Sequence, residues 1–170
     1  VIGCSAMGKH HMRGIQAKAT AHLYAICDIT PQSLEKCKEK YNVSIAVTDY
    51  KELVNDPNIH AVVVVLPDQL HLEVTEAFLR AGKDVLCEKP MAANVEDAQK
   101  MMDAWKESGK LFTIGYQNRY RTDAQALKTI CENNELGDIY YARAHAIRRR
   151  AVPTWGVFLN EYEQGGGPLI

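Results

Sequence analysis

Val1-Ile2-Gly3-Cys4-Ser5-Ala6-Met7-Gly8, read together with Leu23-Tyr24-Ala25-Ile26-Cys27-Asp28, decides the fold. Gly3 and Gly8 hold the outer positions of G-x-G-x-x-G, and Ser5 stands in the middle place. The first glycine of that pattern permits a tight turn out of a strand, and the last lets the following helix approach it. The middle one admits an anion closely. Serine adds only a hydroxymethyl there, which predicts a retained site with a slightly altered fit. Backbone N–H groups from Gly3 through Ser5, Ala6, Met7 and Gly8, with a helix dipole behind them, can hold a diphosphate. Asp28 ends the next apolar run about 20 residues on, where a carboxylate can accept both hydroxyls of an adenosine ribose. The same acid repels a 2′-phosphate, and Ile29, Thr30 and Pro31 follow it rather than an arginine, so NAD is favoured over NADP. A solvated strand-end acid is the plainer alternative for Asp28.

Outward from this loop, apolar runs alternate with helical periods as far as Gly115. Ile2, Leu23–Cys27, Ile45–Val47, Ile59–Leu66, Asp84–Cys87 and Leu111–Gly115 read as six strands. Residues 8–19, a segment starting at Pro31, 49–55, 72–81 and a segment capped by Asn94 read as the helices between them. Val95, Ala98, Met102 and Trp105 are the expected apolar stripe of the last of these. Parallel strands need crossovers long enough to hold a helix, so the pattern predicts an α/β, Rossmann-type doubly wound parallel sheet. The pattern changes after Tyr116. A helix over 122–133 leads into an alternating strand over 139–148, which predicts the start of a second α/β domain. The expected division is 1–118 for the nucleotide domain and 119–170 for the beginning, incomplete, of the next.

Composition narrows the function classes. The formal net charge of −1 argues against a dedicated nucleic-acid surface, and Arg148-Arg149-Arg150 is the only tight basic run. Five cysteines stand singly at 4, 27, 37, 87 and 131 without a CxxC, as expected of a reducing, cytoplasmic setting. The longest apolar run, Ala61–Leu66, is far short of a membrane span. No metal site is expected. His10-His11 is the only adjacent pair among six histidines, and it more simply lines a helix near the loop. The chain starts inside a strand without an initiator methionine and closes on Gly165-Gly166-Gly167-Pro168-Leu169-Ile170, the expected marks of a piece of a longer protein.

Ligands of open parallel sheets lie beyond the carboxyl ends of the strands. Leu66-Pro67-Asp68 with His71, Glu88-Lys89-Pro90, and Gln117-Asn118-Arg119-Tyr120 occupy those ends. Glu88-Lys89-Pro90 is the most pointed of the three. A lysine at a strand end, directed by a cis bond to the following proline, can bring its ammonium to a hydroxyl or carbonyl oxygen and stabilise a developing alkoxide. A surface ion pair followed by a turn is the alternative. His71 has three open roles: capping the next helix, touching the cofactor, or packing in the core.

Together, the loop, Asp28, Leu66-Pro67 with His71, Cys87-Glu88-Lys89-Pro90 and Gly115-Tyr116-Gln117-Asn118-Arg119-Tyr120 resemble the glucose–fructose oxidoreductase / inositol dehydrogenase / rhizopine catabolism family. The likeness runs over the whole chain. Ser5 departs from the family's glycine, and Asp68 stands where asparagine is common. The resemblance implies a second domain built on a mostly antiparallel sheet, and a homo-oligomer as the full-length assembly. It also implies an NAD-dependent dehydrogenase acting on a ring hydroxyl or ketone of a sugar, inositol or polyol. Lys89 matches the family's active-site lysine, in contact with substrate and nicotinamide. Leu66, Pro67, His71 and Glu88 join Gly3, Ser5, Ala6, Met7, Gly8 and Asp28 as expected cofactor contacts. Arg119 and Trp155 are the expected substrate contacts, each with a structural role as the alternative. The family's acid/base histidine and its aspartate normally follow a Gly-Gly-Gly-Pro-Leu-Ile stretch, so they are expected past Ile170 and the 170 residues alone are expected to be inactive. Three other readings share these residues: a regulatory protein binding NAD and sugar without chemistry, a glycosidase working by transient oxidation, and a scaffold subunit.

Overall fold

The structure, a computed structural model, describes residues 1–145 and 147. Its elements in chain order are α1 (Ala6–Gln16), β1 (Ala25–Cys27), α2 (Pro31–Tyr41), β2 (Ile45–Val47), α3 (Lys51–Val54) and β3 (Ala61–Val64). They continue with α4 (His71–Arg80), β4 (Asp84–Cys87), α5 (Val95–Ser108), β5 (Phe112–Ile114) and α6 (Thr122–Glu132). Ile45–Val47 and Asp84–Cys87 appear with the expected bounds, and the strands at 23–27, 59–66 and 111–115 are shorter than expected. Ile2 forms bridges to Cys27 and Val64, and α1 begins at Ala6, two residues ahead of the expected start.

β1 pairs with β2, and β3–β4–β5 form a three-stranded sheet, every pairing parallel. Ile2 joins the two. Its N–H donates to the Val63 carbonyl at 2.8 Å and its own carbonyl accepts from Val65 N–H at 2.8 Å. On the other side Cys27 N–H donates to the Val1 carbonyl at 3.0 Å. The resulting order β2-β1-Ile2-β3-β4-β5 reverses direction at Ile2, which makes the carboxyl edge beside it the crevice of a doubly wound sheet.

Side-chain alternation fills both faces. Ala25 and Cys27 face a cluster with Val62, Val64, Val85 and Cys87, closed by Phe78 and Leu79 of α4 and Met101 and Ala104 of α5. Ile26 points the other way, into Cys4, Met12, Leu34, Cys37 and Tyr41, so α1 and α2 cover the opposite face. The helix ends follow local chemistry. Pro31 opens α2, the Asn94 side chain accepts from Asp97 N–H at 2.8 Å to start α5, and Gly109 at φ +65° closes it.

Two expectations are corrected. The α5 stripe is shifted by a residue: Met101 and Ala104 are buried, Ala98, Met102 and Trp105 flank them, and Val95 at the first helical position projects away, 80% exposed. The mostly antiparallel second sheet is also overturned, because every strand pairing among the described residues, β1–β2 included, is parallel. Residues 139–145 form no strand. Tyr140 and Tyr141 stand 96% and 73% exposed, with no strand against them among the described residues.

Candidate active site

The loop between Ile2 and α1 is shaped by two glycines that touch. Gly3 sits at φ +103°, where a Cβ would lie 2.0 Å from the Val65 carbonyl oxygen. A Cβ on Gly8 would lie 1.9 Å from the Gly3 carbonyl oxygen. Both positions therefore exclude a side chain, and α1 starts directly against the strand. Ser5 needs no such freedom: its backbone is extended (φ −64°, ψ −176°) and its Oγ caps the helix by accepting from Gly8 N–H at 3.4 Å. That long bond leaves the first-turn N–H groups of Ala6 and Met7 pointing out of the helix end, with no acidic side chain in the turn to repel an anion.

Asp28 is held beside this loop. Oδ2 accepts from Cys4 N–H at 2.7 Å, and Oδ1 accepts from Thr30 N–H at 2.8 Å. A carboxylate has about four acceptor positions, so two remain for hydroxyl donors in an orientation the backbone fixes.

The carboxyl ends of β3 and β4 form the other half. His71 is fully buried, with Nδ1 2.8 Å from the Pro90 carbonyl oxygen and Nε2 2.9 Å from the Leu66 carbonyl oxygen. Of its three open roles, packing beneath the site is the one the geometry matches; it ties the Leu66-Pro67 loop to the Glu88-Lys89-Pro90 segment. The Lys89–Pro90 bond is cis. Glu88 is buried, and Lys89 is exposed, its ammonium making no hydrogen bond or ion pair among the described residues. Burial pushes the Asp68 carboxyl above the usual carboxylate range, against the opposing pull of His71 and Lys89.

Arg119 stands apart on the turn Gln117–Tyr120, its guanidinium 6.0 Å from the centre of the Tyr116 ring. Trp155 lies outside the described residues. His11 lies on α1 beside the loop, where the sequence puts it, but its Nε2 is 2.8 Å from Glu88 Oε1, a contact that the sequence does not reveal. No local signal marks that pair, because 77 residues separate its members. A cavity of about 540 Å³ opens beside it, lined by Met7, His11, Glu88, Gly115, Tyr116 and Tyr120, and so reaches from the loop to the end of β5.

These features suit a dinucleotide. The first turn of α1 offers backbone donors without an acid, Asp28 offers two spare acceptor positions, and Lys89, without an ion pair among the described residues, follows the carboxyl end of β4. The family model for the oxidoreductase family with an NAD-binding Rossmann fold matches residues 1–116. The chain belongs to that family. It is 38% identical over 171 residues to D-glucoside 3-dehydrogenase of Escherichia coli (strain K12), covering 100% of this chain and 49% of that protein. It is 34% identical over 148 residues to myo-inositol 2-dehydrogenase of Thermotoga maritima, covering 87% of this chain and 43% of that protein. The chain thus spans about half the length of the curated relatives it matches. Among solved structures, scyllo-inositol dehydrogenase from Lactobacillus casei with bound NAD(H) and scyllo-inositol superposes with a TM-score of 0.75 at 28% identity, over 80-odd per cent of this chain (81%) and 41% of that one. No helix among the described residues is long and apolar enough to cross a membrane.

Proposed function

We propose that this chain carries the nucleotide half of an NAD-dependent oxidoreductase whose substrate is a ring hydroxyl or ketone of a sugar, inositol or related polyol. One observation supports the reading: Lys89, exposed and without an ion pair among the described residues, follows the carboxyl end of β4, the same edge of the sheet at which the phosphate loop and Asp28 lie. Gly3 and Gly8 shape the diphosphate cradle, the N–H groups of Ser5, Ala6 and Met7 bind the anion, and Asp28 accepts the ribose hydroxyls. Leu66, Pro67 and Glu88 wall the nicotinamide end, with His71 beneath. Bound NAD supplies the hydride acceptor. Lys89 holds the substrate oxygen and stabilises negative charge as the hydroxyl proton passes to a general base outside the described residues. Neither His71, with both ring nitrogens on carbonyls, nor His11, committed to Glu88, is free to take that proton.

Residues 1–118 act as the nucleotide unit, and 119–170 begin a second unit that brings Arg119 and Trp155 to the substrate. The working assembly is a cytoplasmic homo-oligomer, a reading supported by five free, dispersed cysteines for the compartment and by the family likeness for the association. The test is a screen of NAD-linked turnover by the full-length gene product against inositols and glucosides, repeated with Lys89→Ala. Turnover should fall by about 10²-fold or more while NADH affinity stays within a few-fold. Unchanged turnover in Lys89→Ala, or an absence of NADH binding, refutes the assignment.

A further inference from the structure

Glu88 poses a problem that the proposed chemistry does not use. Its carboxylate is buried and adjoins the one lysine that the proposed site needs free. A buried carboxylate demands a partner, and the Lys89 ammonium on the next residue is the obvious one. Yet Lys89 makes no ion pair among the described residues. Glu88 instead points back to α1, with Oε1 2.8 Å from His11 Nε2, while Oε2 takes only the long 3.2 Å bond from the Lys89 backbone N–H. The carboxylate packs against Gly115, where a Cβ would stand 3.0 Å from its carbon and from Oε2, so the glycine leaves the room that it occupies.

We infer that His11 is a positioning residue for Lys89: it holds the Glu88 carboxylate on α1, which keeps the neighbouring acid from capturing the lysine and sets the Lys89 backbone through Oε2. His11 lies on the helix whose first turn forms the phosphate loop. The link therefore ties the diphosphate end of the site to the reacting end across 77 residues of sequence. It rests on the cofactor reading proposed above, but its structural half does not need cofactor.

The discriminating variants are His11→Gln and His11→Asn in the full-length protein. Both remove the imidazole ring and its ring current. Gln places an amide nitrogen where His Nε2 was, and Asn stops short of Glu88. In free, isotope-labelled protein the backbone amide resonance of Lys89 should move in His11→Asn and stay near the wild-type position in His11→Gln, with remote amides unchanged in both. Equal shifts in the two variants overturn the inference. With NADH as the probe, dissociation constants of both should stay within about threefold of wild type. With myo-inositol as the test substrate, kcat should fall at least about tenfold in Asn and less than about threefold in Gln. A loss of NADH affinity with kcat intact also overturns it, because His11 would then serve binding instead. Absence of NADH binding by the wild type removes the cofactor reading and leaves the Lys89 amide comparison to decide whether His11 positions the segment.

Discussion

The same substitution at two places in α1 should change stability in opposite directions. In Gly8→Ala the new Cβ would stand 1.9 Å from the Gly3 carbonyl oxygen and 3.0 Å from its carbon, both backbone atoms that cannot rotate aside. An ordinary contact begins at about 3.4 Å, so the helix must retreat by about 1.5 Å from the strand. Overpacking of this kind costs about 1–3 kcal/mol, and here it also pulls the first-turn N–H groups out of line. Gly14 sits inside the same helix with nothing within 4 Å of its Cβ position. Alanine there relieves the backbone entropy of glycine at no steric cost and should gain about 0.5–1 kcal/mol. The spread between the variants is then about 1.5–4 kcal/mol, readable as urea midpoints at constant m-value. NADH at about 100 times its dissociation constant should add about 2.7 kcal/mol to the wild type and to Gly14→Ala, and much less to Gly8→Ala. A Gly8→Ala protein within about 0.5 kcal/mol of wild type, or a destabilised Gly14→Ala, refutes the packing argument.

Asp28→Asn should lower NADH affinity by about tenfold or more, since it removes a charge-assisted acceptor from the ribose position. It should also narrow the preference for NADH over NADPH, and an unchanged ratio in titration calorimetry counts against the ribose assignment. The cysteines give a prediction in pH. Burial pushes the Cys4 and Cys87 thiols up to about 12 and the Cys27 thiol up to about 11, whereas an unfolded thiol titrates near about 8.5. The native state keeps protons that the unfolded chain releases. The contribution of these thiols is therefore whole below about pH 8.5 and shrinks as pH rises toward 11–12, by at most about 1.4 kcal/mol per pH unit for each thiol. Urea midpoints between pH 7.5 and 10.5 check this, and a flat profile above pH 9 contradicts it. Iodoacetamide at pH 7.5 should modify Cys131, the one cysteine not buried, well before the other four.

The strands were readable because their signals are local. A β-branched run such as Val62-Val63-Val64-Val65 makes its own case for a buried strand, and Pro31, Asn94 and Gly109 each mark a helix end by their own backbone or side-chain chemistry. The α5 stripe missed by a residue because Val95, Ala98 and Met102 satisfy the helical period as well as Met101 and Ala104 do. Period alone does not say which side of a helix meets α4. The antiparallel second sheet failed for a different reason. Alternation over 139–148 describes a segment able to line a sheet face, but pairing needs a partner strand, and Tyr140 and Tyr141 have none against them among the described residues.

The site follows the same division between local and non-local signals. Gly3, Gly8 and Asp28 could be read directly because each acts through its own backbone conformation or through groups its neighbours present. Ser5 shows why the degenerate loop survives. The middle place needs only an extended backbone and a small side chain, and the hydroxyl adds a helix cap that glycine cannot supply. Lys89 differs in kind. Its type and place were legible, but whether its ammonium is free depends on where Glu88 turns, and that is decided by His11 from another element. An acid beside a lysine in sequence therefore says little about a pair in space. In a doubly wound sheet, strand ends separated by dozens of residues meet at one edge, so the partners that set a charged group's availability come from the neighbouring crossovers. The surface ion pair that stood as the alternative for Glu88-Lys89 does not form among the described residues, and Glu88 meets His11 of α1 instead.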